Sequence, residues 1–371
     1  MNRRFRLDEA VRAARARTGV PGVAAALAHG GDVDLAADGV LVLGGRERVR
    51  VDTPFRIASV TKPFTATLAA ETLELDDAVR ARLSHTAGLR AESHESLPPA
   101  LHGLWSYSNA GYWAVGEAVA AAADVPFAEA MRMRVLEPLG LAATGFGEPA
   151  RCARGHVQEG ETGHRAVPVD AYAVERRPSG GLWSTVADLV RFGRHQLASP
   201  SVLHEPVADA LGAGYALGFW VRTLPDGATA LDHEGSVAGY QSLLLLVPER
   251  ELVLAVLTNS WRGSGLVRRL VETLGLAPAR GGDRAVDPAV AGRYALDDVE
   301  ARVAVSDGAL SVAVSEPDPV TGATLTTRVT ARPLGDGVFG YGRGVLQSHR
   351  VDFPRPDVAR IGWLALPRVS P

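Results

Sequence analysis

The chain reads as an α/β (α+β) protein: an antiparallel sheet flanked by helices, with a helical subdomain inserted into it and a small β-domain at the C-terminus. Three observations predict this class. β-rich runs stand at both ends of the first three quarters of the chain, helical and irregular stretches fill the space between them, and a short-strand alternation follows a Pro/Gly/Arg/Asp-rich segment. The 371 residues, 46% of them hydrophobic, suffice for one large core and a smaller one.

The N-terminal MNRRFRLDEAVRAARARTG is charged throughout and lacks an apolar segment. It reads as an amphipathic helix carried by Phe5, Leu7, Ala10, Val11 and Ala14 rather than as a signal peptide. No later run reaches membrane-spanning length, so the expected localisation is cytoplasmic. GVPGVAAALAHGG predicts a strand ending in a Gly-Gly turn, with DVDLAADGVLVLGG as its antiparallel partner. Beyond Lys62 helical patterns dominate, and VPFAEAMRMRVLEPLG (125–140) is the clearest helix, stopped by Pro138 and Gly140.

Strands return with YALGFWVRTL, the run from Thr229 to His233, YQSLLLLV and ELVLAVLTNS. PERE joins the last two as a hairpin, and GLVRRLVETLGL closes the unit as a helix. This gives a main domain over 1–276, a linker APARGGDRAVDP over 277–288, and a β-domain over 289–371 whose strands alternate with Gly/Asp turns.

Charge and composition narrow the function. With 39 basic and 42 acidic residues and no Lys/Arg tract, the chain carries no electrostatic footprint for nucleic acid or an anionic membrane, and the expected partner is a small-molecule or peptide substrate. The single cysteine, Cys152, has no partner for an internal disulfide and no activating neighbours. There is no G-x-S-x-G elbow and no HExxH, and His85, His94 and His102 are spaced too irregularly for a zinc site. Neither a metal nor a cofactor is implied.

Three stretches carry chemistry. In RIASVTKPFTATLAA (56–70) a helix beginning near Ser59 puts Lys62 on the same face, and Pro63 is tolerated in the first turn. Burial and the positive end of a helix both disfavour an ammonium, so Lys62 can be neutral enough to take the serine proton. In WSYSNAGYW (105–113) Tyr107 offers a phenol for proton exchange and Asn109 an amide for a substrate carbonyl. In DHEGSVAGY (232–240) His233 lines a strand, Gly235 lets a substrate pass close to the backbone, and the N–H of Ser236 faces the cleft.

Each stretch alone is common; their order is not. S-x-x-K, then Y-x-N, then H-x-G before a β-hairpin resembles the serine β-lactamase and penicillin-binding-protein superfamily, and most closely its class C β-lactamase-like branch, which includes D,D-peptidases, D-aminopeptidases and family VIII esterases. LSHTAGL (83–89), YSNAGYWAVGEAV, EPLGLAATGF (137–146), PSGGLWSTVADLVRFGRHQL (178–197) and GYQSLLLLVPERELVLAVLTN extend the likeness over roughly 5–275. The resemblance implies a fold of the β-lactamase type and an acyl-enzyme mechanism. In it Ser59 is the nucleophile, Lys62 its proton acceptor, Tyr107 the proton shuttle, Asn109 a substrate-amide contact and His233 the third-motif residue. The oxyanion hole comes from the N–H groups of Ser59 and Ser236. The C-terminal β-domain resembles, more weakly, lipocalin-like barrels appended to some relatives, with a role as a structural lid or an oligomerisation surface.

Two departures shape the expected specificity. The segments between Lys62 and LSHTAGL and between Gly88 and Tyr107 are short, which predicts a more open cleft rim tolerant of bulky acyl groups. His233 in place of a lysine predicts weak attraction for carboxylates, with a charge change near an ordinary histidine pKa of about 6.5. The reading is a serine hydrolase of ester or amide/peptide bonds, including bonds next to a D-residue, and a weak β-lactamase at most. The alternative is an acyltransferase or a penicillin-binding-type thioesterase that cyclises peptides. A third reading, of another class, is an acylated sensor or a pseudoenzyme binding module.

Overall fold

The computed structural model describes residues 6–160, 163–168, 172–198, 201–278, 286–317, 322–335, 337–341 and 350–370. Phe5 and most of the expected linker lie outside the described residues.

An eight-stranded antiparallel sheet runs in the order Asp32–Gly39, Gly22–His29, Leu252–Thr258, Tyr240–Val247, Thr229–Val237, Trp220–Thr223, Ala213–Tyr215, Ala208–Ala210. Its central strands read as continuous apolar runs because both faces are covered. Side chains alternate across a strand, so Val23, Ala25, Leu243, Leu245, Leu254 and Val256 share one face. They pack there against Leu7 and Val11 of helix Leu7–Thr18 and Leu266 and Leu270 of helix Gly263–Thr273. Ala24, Ala26, Leu244, Leu246, Val253 and Ala255 share the other face, against the inserted helical layer represented by Phe64 and Phe192. The N-terminal and last helices of this unit therefore lie side by side on one face, and the chemistry-bearing insertion lies on the other.

The inserted layer contains helices Thr61–Thr72, Asp77–Leu83, Asn109–Ala123 and Val186–Ala198. Asp76 caps the second by accepting the Val79 N–H, and Ser108 caps the third by accepting the Gly111 N–H at 3.0 Å. The expected helix over 125–140 is shorter and less regular: it begins at Phe127, after Pro126, and from Arg132 to Leu136 it widens into a π turn. Among the described residues no helix is long and apolar enough to cross a membrane.

The C-terminal strands, from Gly292–Leu296 to Leu364–Ser370, close into an eight-stranded barrel around Tyr294, Leu310, Val312, Phe339, Val351 and Leu366. The barrel is bound firmly to the main unit. Asp352, paired with Arg360 at 2.7 Å, accepts the Leu211 N–H at 2.8 Å, and Arg350 donates to the Leu211 carbonyl at 3.0 Å. Leu97 and Leu101 pack with Val358 and Ala365, and Arg90 pairs with Asp297. The short segment between Gly88 and Tyr107 therefore does not leave the rim open as expected, because the barrel occupies that side.

Candidate active site

Ser59 sits in a 3-10 turn, Ala58–Val60, that runs directly into helix Thr61–Thr72. The residue before it, Ala58, has φ +46°, in the left-handed region that costs a non-glycine residue about 1–3 kcal/mol. Neighbouring bonds hold the turn in place. The Ile57 N–H donates to the Leu182 carbonyl at 3.0 Å, and the Ile57 carbonyl accepts the Ser242 hydroxyl at 2.7 Å. Ser59 remains half-buried while Ile57, Ala58 and Val60 are buried around it.

The i, i+3 spacing brings Lys62 Nζ to 3.2 Å from Ser59 Oγ. Lys62 is 0% exposed, and Nζ also donates to Asn109 Oδ1 at 2.7 Å and to the Ser179 carbonyl at 2.8 Å. It lies over the rings of Tyr107 and Tyr112, at 4.7 and 5.2 Å from their centroids. Burial pushes its pKa well below the ordinary lysine value, with the Glu92 carboxylate opposing the shift. A neutral amine has two N–H donors and one lone pair. Asn109 and Ser179 take the two donors, which leaves the lone pair for Ser59.

Tyr107 Oη donates to Ser59 Oγ at 2.8 Å from the other side. Burial drives the phenol pKa far above its ordinary value, so it stays protonated and acts as a donor. Its position is set by main-chain bonds on both flanks. The Ser106 N–H donates to the His85 carbonyl at 3.0 Å, and the Tyr107 N–H donates to the carbonyl of Trp363, in the barrel, at 2.9 Å. The Trp363 and Tyr107 rings lie 5.3 Å apart.

Asn109 differs from expectation: its amide oxygen is turned to Lys62 and its nitrogen donates to Glu92, rather than standing free for a substrate carbonyl. Gly235 differs too. A Cβ there would come within 2.2 Å of both the Ile57 carbonyl oxygen and Ser242 Oγ, so the close approach that requires glycine is made by the Ser59 turn and not by a substrate. Strand Trp220–Thr223 pairs with Thr229–Val237 only as far as Asp232, so from His233 onward the free edge of the third-motif strand lies against the Ser59 turn. Ser236 follows as an exposed residue, its hydroxyl accepting from Gln241 Nε2 at 2.7 Å.

His233 requires the largest correction. It is 0% exposed, and burial, reinforced by Lys62, holds its pKa down at about 3. The expected charge change near 6.5 does not occur, and the ring faces Tyr215, whose hydroxyl lies 3.2 Å from Nε2. Sequence reasoning also missed Ser179, whose carbonyl accepts from Lys62 and whose only signal was its place in PSGGLWS, and Glu92, an exposed carboxylate in a segment without a pattern.

Comparison with known proteins agrees with this architecture. A profile of the Beta-lactamase family matches residues 7–276. Penicillin-binding protein 4 of Amycolatopsis lactamdurans is 30% identical over 315 residues, covering 65% of this chain and 81% of that protein. The crystal structure of SurE superposes with a TM-score of 0.72 at 26% identity over 98% of both chains, so its likeness includes the barrel. A class C β-lactamase from Rhodobacter sphaeroides superposes with a TM-score of 0.62 at 19% identity over 72% of this chain and 99% of its own, sharing the fold. With the matched profile spanning the whole sheet and helical insertion that hold Ser59, Lys62 and Tyr107, this chain belongs to the Beta-lactamase family.

Proposed function

We propose that the protein is an acyl-serine hydrolase in which Ser59 attacks an ester or amide carbonyl, Lys62 takes the serine proton, and Tyr107 gives its phenol proton to the leaving group and recovers the proton held by Lys62. The observation that carries this reading is the polarity of the contacts on Ser59 Oγ. A buried amine with both N–H groups committed elsewhere lies on one side, and a protonated phenol lies on the other. The attacked carbonyl oxygen would gain negative charge between the N–H of Ser59, at the start of its helix, and that of Ser236. Loss of the leaving group leaves an acyl-serine, and water activated by the same Lys62 and Tyr107 pair returns the free serine.

The neutral, buried His233 supports a substrate that needs no positive charge from the third motif: a neutral ester, amide or peptide, including one with a D-residue beside the scissile bond. Anionic β-lactams would acylate Ser59 slowly. The test is pre-steady-state hydrolysis of p-nitrophenyl acetate beside nitrocefin. A burst followed by steady turnover of the ester, with nitrocefin consumed far more slowly, is the expected result. A burst with no subsequent turnover of any ester would instead assign an acylated sensor. Tyr107→Phe should slow the burst and turnover together, and unchanged rates would refute the donor role.

A further inference from the structure

Behind Tyr107 lies a chain of buried polar groups that the acyl-transfer steps do not use. The Ser108 N–H donates to His85 Nδ1 at 3.1 Å, His85 Nε2 lies 3.1 Å from Tyr215 Oη, Tyr215 Oη lies 3.2 Å from His233 Nε2, and His233 Nδ1 lies 2.6 Å from the Glu234 carbonyl. The two ends fix the tautomers of both histidines. A backbone N–H can only donate, so His85 Nδ1 is bare and its hydrogen sits on Nε2, pointing at Tyr215. A backbone carbonyl can only accept, so the His233 hydrogen sits on Nδ1 and Nε2 is bare, which directs the Tyr215 hydroxyl proton toward it. The chain runs one way, from the second motif to the third, with every group satisfied.

This order explains residue choices that the three motifs leave open. A histidine at 233 accepts from Tyr215 and donates to Glu234 at once, whereas a charged lysine would bury an ammonium there with no lone pair for the Tyr215 hydroxyl. His85 grips the chain on both sides of Tyr107, with its carbonyl on the Ser106 N–H and its ring on the Ser108 N–H, and its ring centroid lies 4.3 Å from that of Tyr107. Its backbone, at φ +61°, is in the left-handed region. Tyr215 packs against both Trp105 and Trp220, and its hydroxyl also lies within hydrogen-bond reach of that of Tyr112, whose own proton goes to the Leu83 carbonyl.

We infer that His85, Tyr215 and His233 form a one-way hydrogen-bond relay that fixes the second motif against the third, so that His85 and Tyr215 are positioning residues for acylation of Ser59. The inference rests on the acyl-serine reading above. A displacement of about 1 Å at a reacting group costs on the order of a hundredfold in rate, and a single hydroxyl linking the two motifs has that leverage.

The test is the p-nitrophenyl acetate burst, whose amplitude counts folded, competent sites while its rate constant reads their geometry. Tyr215→Phe, which removes one oxygen and keeps the ring packing, should lower the acylation rate constant per titrated site by about tenfold or more, with the half-saturating ester concentration changed by less than about threefold. At the third motif, His233→Gln, whose amide both accepts and donates, should acylate at least about fivefold faster than His233→Leu, and His233→Lys should be no better than His233→Leu. A Tyr215→Phe rate constant within about twofold of wild type, a loss confined to burst amplitude, or a fully active His233→Lys would overturn the relay while leaving the acyl-serine reading intact. Absence of a burst in the wild type would overturn both.

Discussion

The N–H of Tyr107 donates to the carbonyl of Trp363 at 2.9 Å, so the residue whose phenol touches Ser59 is bonded directly to the C-terminal barrel. Trp363, in the turn before strand Leu364–Ser370, also packs its ring beside that of Tyr107, and that strand reaches back to the second motif, where the Ala365 N–H donates to Ser106 Oγ at 3.3 Å. The barrel is thereby a wall of the candidate site.

Trp363→Ala should therefore lower turnover of p-nitrophenyl acetate by about tenfold, because the ring packing that steadies Tyr107 is lost while its main-chain bond remains. The check is kcat measured per burst-titrated site. Turnover equal to wild type would show that the barrel contact is a bystander to the chemistry.

Gly235→Ala should destabilise the protein by about 1–3 kcal/mol, since the added methyl meets the Ile57 carbonyl oxygen and Ser242 Oγ and must push the third-motif strand away from the Ser59 turn. Urea denaturation measures the loss. Acylation should fall with it, because the same movement separates Ser59 from the Ser236 N–H; a variant as stable and active as wild type would contradict the close approach.

Acid sensitivity follows from the buried histidines. His233 is held at about 3 and His85 well below its ordinary value, both chiefly by burial. In the unfolded chain each has a pKa of about 6.5. Their folded values are depressed, so the stability they contribute is complete above about 6.5 and is lost as pH falls from there toward the folded values, by up to about 1.4 kcal/mol per pH unit for each. Urea midpoints at pH 7.5 and 4.5 test this, with a lower midpoint in acid and a smaller drop in His233→Gln. Because the ring stays neutral in the folded protein from pH 5 to 8, the relative KM of matched neutral and anionic esters should not change over that range.

The sequence and the structure agree where the signal is local and diverge where it is long-range. Ser59 and Lys62 are legible from a three-residue spacing at a helix start, and the apolar runs Tyr240–Val247 and Leu252–Thr258 announce strands covered on both faces. The environment of His233 is set by Tyr215 and His85, each on a different element, so strand alternation alone suggests an accessible residue where a buried neutral one stands. The rim differs from expectation for the same reason: a short segment from Gly88 to Tyr107 implies an opening only if nothing else packs there, and the residues that fill it, Asp297, Val358 and Ala365, belong to the far end of the chain.

The buried state of Lys62 gives a further expectation. Burial lowers its pKa, so the rising limb of acylation rate with pH should lie well below the ordinary lysine value of about 10.4. Lys62→Arg, which keeps a positive charge but cannot lose its proton, and Lys62→Ala should each lose about a thousandfold or more in acylation rate. A limb centred near 10, or an active Lys62→Arg, would contradict the base assignment.

The most direct test of the account is the intact mass of the protein quenched in acid during turnover of p-nitrophenyl acetate, with the modified peptide sequenced. The account predicts one acetyl group per chain, located on Ser59, which forms within the burst, disappears when the ester is exhausted, and is absent in Ser59→Ala. An acetyl group on another residue during a normal burst, or undiminished burst and turnover in Ser59→Ala, would contradict it.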